Sequence, residues 1–154
     1  MELVLVMVII SIMAAVVVPS MVGVTSEARI ASLTSLAGTV ESAGHMTKGA
    51  WEVQSHPNNV ERFPGDPSKI LVIPETAASK EYTGWPQATA TGIGNAIALD
   101  QHGGGFLSSP TYSSSGGTNT AKYEMENSTT NCFYEYSTSA SSGTVNSTIT
   151  SSGC

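Results

Sequence analysis

The sequence predicts an α+β chain: one long N-terminal helix, half of it apolar on every side, followed by a polar part that carries antiparallel strands. Three observations predict it. From Leu3 to Val18 every residue is apolar except Ser11. The next segment, to about Val53, keeps a helical repeat but shows apolar residues on one stripe. Beyond it, turn residues punctuate the chain, and the aromatic and β-branched residues gather in short alternating runs.

The first half, residues 1–24, is long enough to span a bilayer as a helix: some 20 residues at about 1.5 Å each give roughly 30 Å. A signal peptide is the rival reading, with Ala14-Ala15 in its cleavage region. It lacks the basic start such peptides carry, since the segment opens Met1-Glu2. No polar break follows either. Ile30, Leu33, Leu36 or Ala37, Val40 and Gly44 recur at three- and four-residue intervals through the second half, residues 25–53. Pro19 and Gly23 stand where the two halves meet. Pro19 removes one intrahelical hydrogen bond and crowds the preceding turn, so it marks a kink or a place where the helix loosens.

The remainder, residues 54–154, opens with five prolines between Pro57 and Pro86. Ile70–Ile73 reads as a short strand and Gly92–Leu99 as a short, glycine-softened helix. Ala121–Glu126 and Cys132–Tyr136 read as a hairpin joined by "NSTTN", and Thr144–Thr150 as an edge strand. Asp100–Gly105, "DQHGGG", reads as a polar turn, with a cation site through Asp100 as the lesser alternative. Asn127-Ser128-Thr129 and Asn146-Ser147-Thr148 match a glycosylation sequon, as chance matches in so Asn/Ser/Thr-rich a tail would.

Composition removes several function classes. Charged residues are 12 % of the chain, about half the usual share. The net charge is −6 and the six Lys and Arg are scattered from Arg29 to Lys122, which argues against a nucleic-acid partner. His45, His56 and His102 share no metal-binding spacing, and no acidic pair or histidine accompanies a recognisable nucleophile. No catalytic residue, cofactor or metal site is expected. Cys132 and Cys154 fit one disulfide in an exported protein, with two free thiols as the alternative. A loop of that length, closed, would stabilise the fold by roughly 3 kcal/mol.

The stretch "ELVLVMVIISIMAAVVVP" resembles the N-terminal signature of type IV pilins and pseudopilins: a glutamate, then an unbroken apolar run to a proline. "SEARIASLTSLAGTVESA", "GWPQATATGIGNAIALD" and the final "NCFYEYSTSASSGTVNSTITSSGC" are similar to the mannose-sensitive haemagglutinin branch of type IVa pilins. The resemblance runs, with gaps, over the whole chain. It departs from the family at two places. A basic leader ending in glycine, then phenylalanine and three more residues, precedes the glutamate in the family, whereas Met1 alone precedes Glu2 here; the numbering is expected to begin inside the mature protein. Ser11 stands where the family usually has glycine, which leaves the helix stiffer.

The resemblance implies the type IV pilin fold, with the helix's second half packed on a small antiparallel sheet and a disulfide-bounded region at 132–154. It implies no enzyme but a structural subunit that waits in the inner membrane, is processed by a prepilin peptidase, and is polymerised by the pilus machinery. The product is an extracellular helical homopolymer used for adhesion and in some cases motility. Its core would be built from Leu3, Val4, Leu5, Val6, Met7, Val8, Ile9, Ile10, Ile12 and Met13. Glu2, a lone carboxylate costing a few kcal/mol at membrane depth, would pair with the N-terminal amine of a neighbouring subunit and set the register. A pseudopilin of a secretion system and a membrane-anchored binding domain are the alternatives. A plain anchor has no need of Glu2 and Pro19, and a pseudopilin would favour a calcium-ligand cluster in place of the cysteine pair.

Overall fold

The computed structural model describes residues 2–61, 69–75, 82–97, 110–126, 131–139 and 141–154, with the backbone alone at residue 2 and residues 15–22. Helix α1 runs Glu2–Val53. It is continuous because the segment lacks any run of helix breakers: Ala, Leu, Met, Val and Glu dominate, and Pro19 stands alone. The backbone stays helical across Pro19 in the single chain.

Six strands follow. β1 (Asn59–Glu61) pairs antiparallel with β2 (Lys69–Leu71). A π-helical turn, Ala90–Gly94, leads into the one-turn helix α2, Asn95–Ile97. The Thr89 side chain caps this turn, accepting from the Gly92 amide at 3.0 Å. β3 (Thr111–Ser115), β4 (Thr118–Glu124), β5 (Phe133–Ser139) and β6 (Thr144–Thr150) form an antiparallel meander in that order. Gly116 and Gly117 close the β3–β4 hairpin with positive φ at both positions, the backbone that a two-residue primed turn requires.

Alternation along β4 and β5 sets which face is inside. Ala121 and Tyr123 of β4, and Tyr134, Tyr136 and Thr138 of β5, point inward, while Lys122, Glu124 and Glu135 point out. The inward set meets Leu33, Leu36 and Val40 of α1, with Ala88, Ile93, Met125 and Cys132 completing one core. A smaller core forms at the end of α1, from Trp51, Val60, Ile70 and Val72. The buried stripe of α1 is Leu33, Leu36, Val40, Ala43, Gly44, Thr47 and Trp51, as the spacing predicts from Leu33 to Gly44, but it begins one turn later than expected because Ile30 is 37 % exposed. Thr47 sits in this stripe without penalty because its hydroxyl donates to the Ala43 carbonyl at 2.7 Å.

The strand expected at Ile70–Ile73 is β2, shorter by its proline flank, and the hairpin expected from Ala121 and Cys132 is β4–β5 with its register shifted toward longer strands. The short helix begins at Ala90 rather than Gly92, and its first turn is π because the Gly94 amide donates to Thr89 O, five residues back. β6 occupies Thr144–Thr150 as expected. The expected ends of the short helix at residues 98 and 99, the turn at Asp100–Gly105 with His102, and the sequon at Asn127-Ser128-Thr129 lie outside the described residues.

Candidate assembly helix and the disulfide-closed face

Among the described residues nothing packs on the large apolar side chains of the first half of α1. All ten large apolar side chains expected to form a filament core, Leu3, Val4, Leu5, Val6, Met7, Val8, Ile9, Ile10, Ile12 and Met13, are 46–70 % exposed. Each would gain roughly 1–2 kcal/mol on burial of the surface it still exposes. Such a surface, contiguous along several turns, exceeds what a monomer in water normally presents. The single polar residue in the run needs no outside partner, because the Ser11 hydroxyl donates to the Met7 carbonyl at 2.7 Å within the helix. The run from Leu3 to Ala14 therefore carries no side-chain polar group without a partner and can enter either lipid or a dry bundle. Among the described residues no helix is long and apolar enough to cross a membrane; the described apolar side chains end at Ala14, roughly 18 Å along the helix from Leu3. The side chains of Glu2 and Pro19 lie outside the described residues, while the backbone around Pro19 is helical in the single chain.

The opposite end of the chain is stapled. Cys132 and Cys154 form a disulfide, S–S 2.07 Å, around β5 and β6. Cys132 is buried in the main core, and Cys154 packs on its edge. The Arg29 guanidinium donates to the Cys154 carbonyl at 3.2 Å, which ties the end of the loop to α1 at the start of its packed half. Gly153 N donates to Asn131 O at 3.0 Å beside it, and Asn131 takes the positive φ that this closure needs.

The buried tyrosines of β4 and β5 hold the sheet to the rest. Tyr136 donates its hydroxyl to the Pro86 carbonyl at 2.8 Å, and Thr138 Oγ1 accepts from the Ala88 amide at 2.9 Å. Both bonds dock the 82–97 segment on β5, which leaves it little freedom to move as a lid. Loss of solvent around the hydroxyl pushes Tyr134 up to about 12 and raises Tyr123 and Tyr136 as well. The Tyr123 hydroxyl is buried beside that of Tyr112 with no well-formed hydrogen bond among the described residues.

No arrangement for catalysis or metal binding is found among the described residues. His45 stacks edge-on against Trp85 at 5.1 Å, and His56 lies flat on Trp51 at 4.1 Å. The His56 Nε2 is 3.1 Å from Glu52 and its Nδ1 3.8 Å from Glu75, an exposed pairing just past the end of α1. His56 and Ser55 both adopt positive φ, and the ring stack with the carboxylates secures that turn. No group of three or more His, Cys, Asp or Glu could hold a metal ion among the described residues. Sequence reading missed the His56 clamp, the Arg29 tie and the aromatic cluster around Trp85, since each joins residues from separate elements with no local spacing to betray it. No protein-family model, curated protein or solved structure matches the chain.

Proposed function

We propose that this chain is the major structural subunit of a type IV pilus. It would polymerise through its apolar N-terminal half-helix into an extracellular filament for surface adhesion and, where the fibre retracts, motility. The observation that carries the reading is the contrast along α1: a core formed without residues 3–13, and a run of large apolar side chains there that none of the described residues covers. A neighbouring copy of the same helix is the cover that needs no other partner, and lipid of the inner membrane serves the subunit before assembly. Nondirectional apolar packing supplies association energy but no register. Glu2 supplies the register in this reading by pairing with a neighbour's N-terminal amine, and Pro19 loosens the helix between its two halves. The pilin fold accounts for the rest: a sheet packed on the second half-helix, and a disulfide, rather than a cluster of calcium ligands, closing the C-terminal loop. That last feature favours a long fibre exposed to shear over the short periplasmic filament of a secretion system.

Electron microscopy of material sheared from the cell surface tests the proposal. Long thin fibres containing this chain are expected; their absence, with the chain recovered as a detergent-soluble monomer, would overturn it. Glu2→Ala should slow assembly or scramble its axial register, and normal fibres from that variant would remove Glu2 from the account.

A further inference from the structure

We propose that the groove between α1 and the inner face of β6 is a binding site for a compact organic cation, a quaternary or alkyl-substituted ammonium. The inward positions of β5 are buried, but those of β6 are left uncovered: Val145 is half-buried, Ser147 exposed and Ile149 37 % exposed. Val145 and Ser147 of that strip line a groove of about 460 Å³, a volume suited to a small ligand. Gly38 and Glu41 line it from α1, Ser147 from β6, and Tyr82 and Trp85 from the 82–97 segment, with Tyr134, 1 % exposed, behind them.

Two features of the sequence shape this groove. Gly38 leaves it wide, because a Cβ there would meet nothing within 4 Å. Gly44 lets the Trp85 ring lie against the helix backbone, where a Cβ would clash with it. Trp85 is then held edge-to-face by Tyr82 at 5.6 Å and by His45 at 5.1 Å, so the aromatic end wall is fixed before any ligand arrives.

The choice of ligand follows from charge. Glu41 is the one charged residue among the described lining, it makes no ion pair among the described residues, and it lies close enough to act on the Tyr134 hydroxyl. Tyr82 and Trp85, the half-buried rings of the lining, attract cations, the Glu41 carboxylate attracts them further, and no base in the described lining opposes them. The net charge of −6 raises the local concentration of cations around the whole molecule. An anion has nothing to meet here, and a metal ion has one carboxylate and aromatic carbon, too poor a ligand set. A soft cation with methyl or methylene groups satisfies both the carboxylate and the rings. This inference is independent of the filament reading, since every residue it uses lies outside the apolar half-helix.

The test is a titration of the full chain, dispersed as single subunits in a nonionic detergent, with choline and with its uncharged carbon analogue, dimethylbutanol. The two tryptophans serve as probe and control: the indole N–H resonance of Trp85 should shift saturably with choline while that of Trp51, in the other core, does not. Glu41→Gln should weaken binding about fivefold, and Gly38→Leu, which fills the groove from an open position, should abolish it with the unfolding midpoint retained. A shift that never saturates, equal binding of the carbon analogue, or affinity undiminished in Glu41→Gln would each overturn the proposal.

Discussion

From Leu3 to Met13 the large apolar side chains of α1 are 46–70 % exposed, whereas the buried apolar residues from Leu33 to Trp51 are at most 6 % exposed. One helix, with one backbone geometry, thus serves two environments. The difference lies in the pattern of the side chains. An apolar stripe can be satisfied by one sheet, and the sheet needs only that stripe. Apolar residues on every side cannot be satisfied by one neighbour, so the first half asks for lipid or for several other chains. The core is thus carried by the second half of the helix alone, and in the proposed filament association falls to the first, so each can be perturbed alone.

The largest separation should come from matched truncations. Leu33→Ala removes a fully buried side chain and should cost about 2–5 kcal/mol in denaturant unfolding followed by tryptophan fluorescence. Leu5→Ala should change the same transition by less than about 0.5 kcal/mol, while reducing the yield of assembled fibre. Equal effects on unfolding would show that the two halves are not independent. The disulfide comes next. Replacing both Cys132 and Cys154 with serine should destabilise the packed part by about 3 kcal/mol, as loop closure over 22 residues implies, and should leave the apolar half unaffected.

Alkaline pH separates the halves by chemistry, since the tyrosines lie in the packed part. A tyrosine whose folded value exceeds its unfolded value of 10 binds its proton more tightly in the native state. Its stabilising contribution is full below pH 10 and is lost as pH rises through the folded value, about 12 for Tyr134. Stability should therefore fall above pH 10 by about 1.4 kcal/mol per pH unit for each buried tyrosine. Tyr136→Phe should lower stability at neutral pH by about 1 kcal/mol through loss of the bond to Pro86 O, and should also flatten that alkaline limb. A small effect of the opposite sign belongs to Gly38→Ala, which places a methyl in open space on a helix and should stabilise by roughly 0.5–1 kcal/mol.

The helix and its change of character were legible because periodicity is local: the stripe from Leu33 to Val40 and the end at Val53 follow from spacing alone. β6 was legible for the same reason, Thr144–Thr150 alternating β-branched residues. β3 was not, because Thr111–Ser115 is nearly all serine and threonine and is held by pairing with β4 rather than by its own propensity. β1 was hidden by the turn signals Pro57, Asn58 and Asn59 at its start. Ile30 was assigned to the core by spacing, yet the sheet reaches α1 only from Leu33 onward. The groove at Trp85 was unreadable in principle: Gly44, Gly38 and Glu41 gain meaning only when a segment some forty residues away is laid across them.

The central claim is that copies of this chain, and not its own globular part, cover the apolar half-helix. Site-specific photocrosslinking in assembled material tests it most directly, with a photoreactive residue at Leu5 in one sample and at Gly49 in another. Both positions are open in the single chain. The account predicts abundant chain-to-chain adducts from position 5, mapping to the apolar half-helix of a second copy. Adducts from position 5 that run to lipid alone, or back to the same chain's globular part, would contradict it.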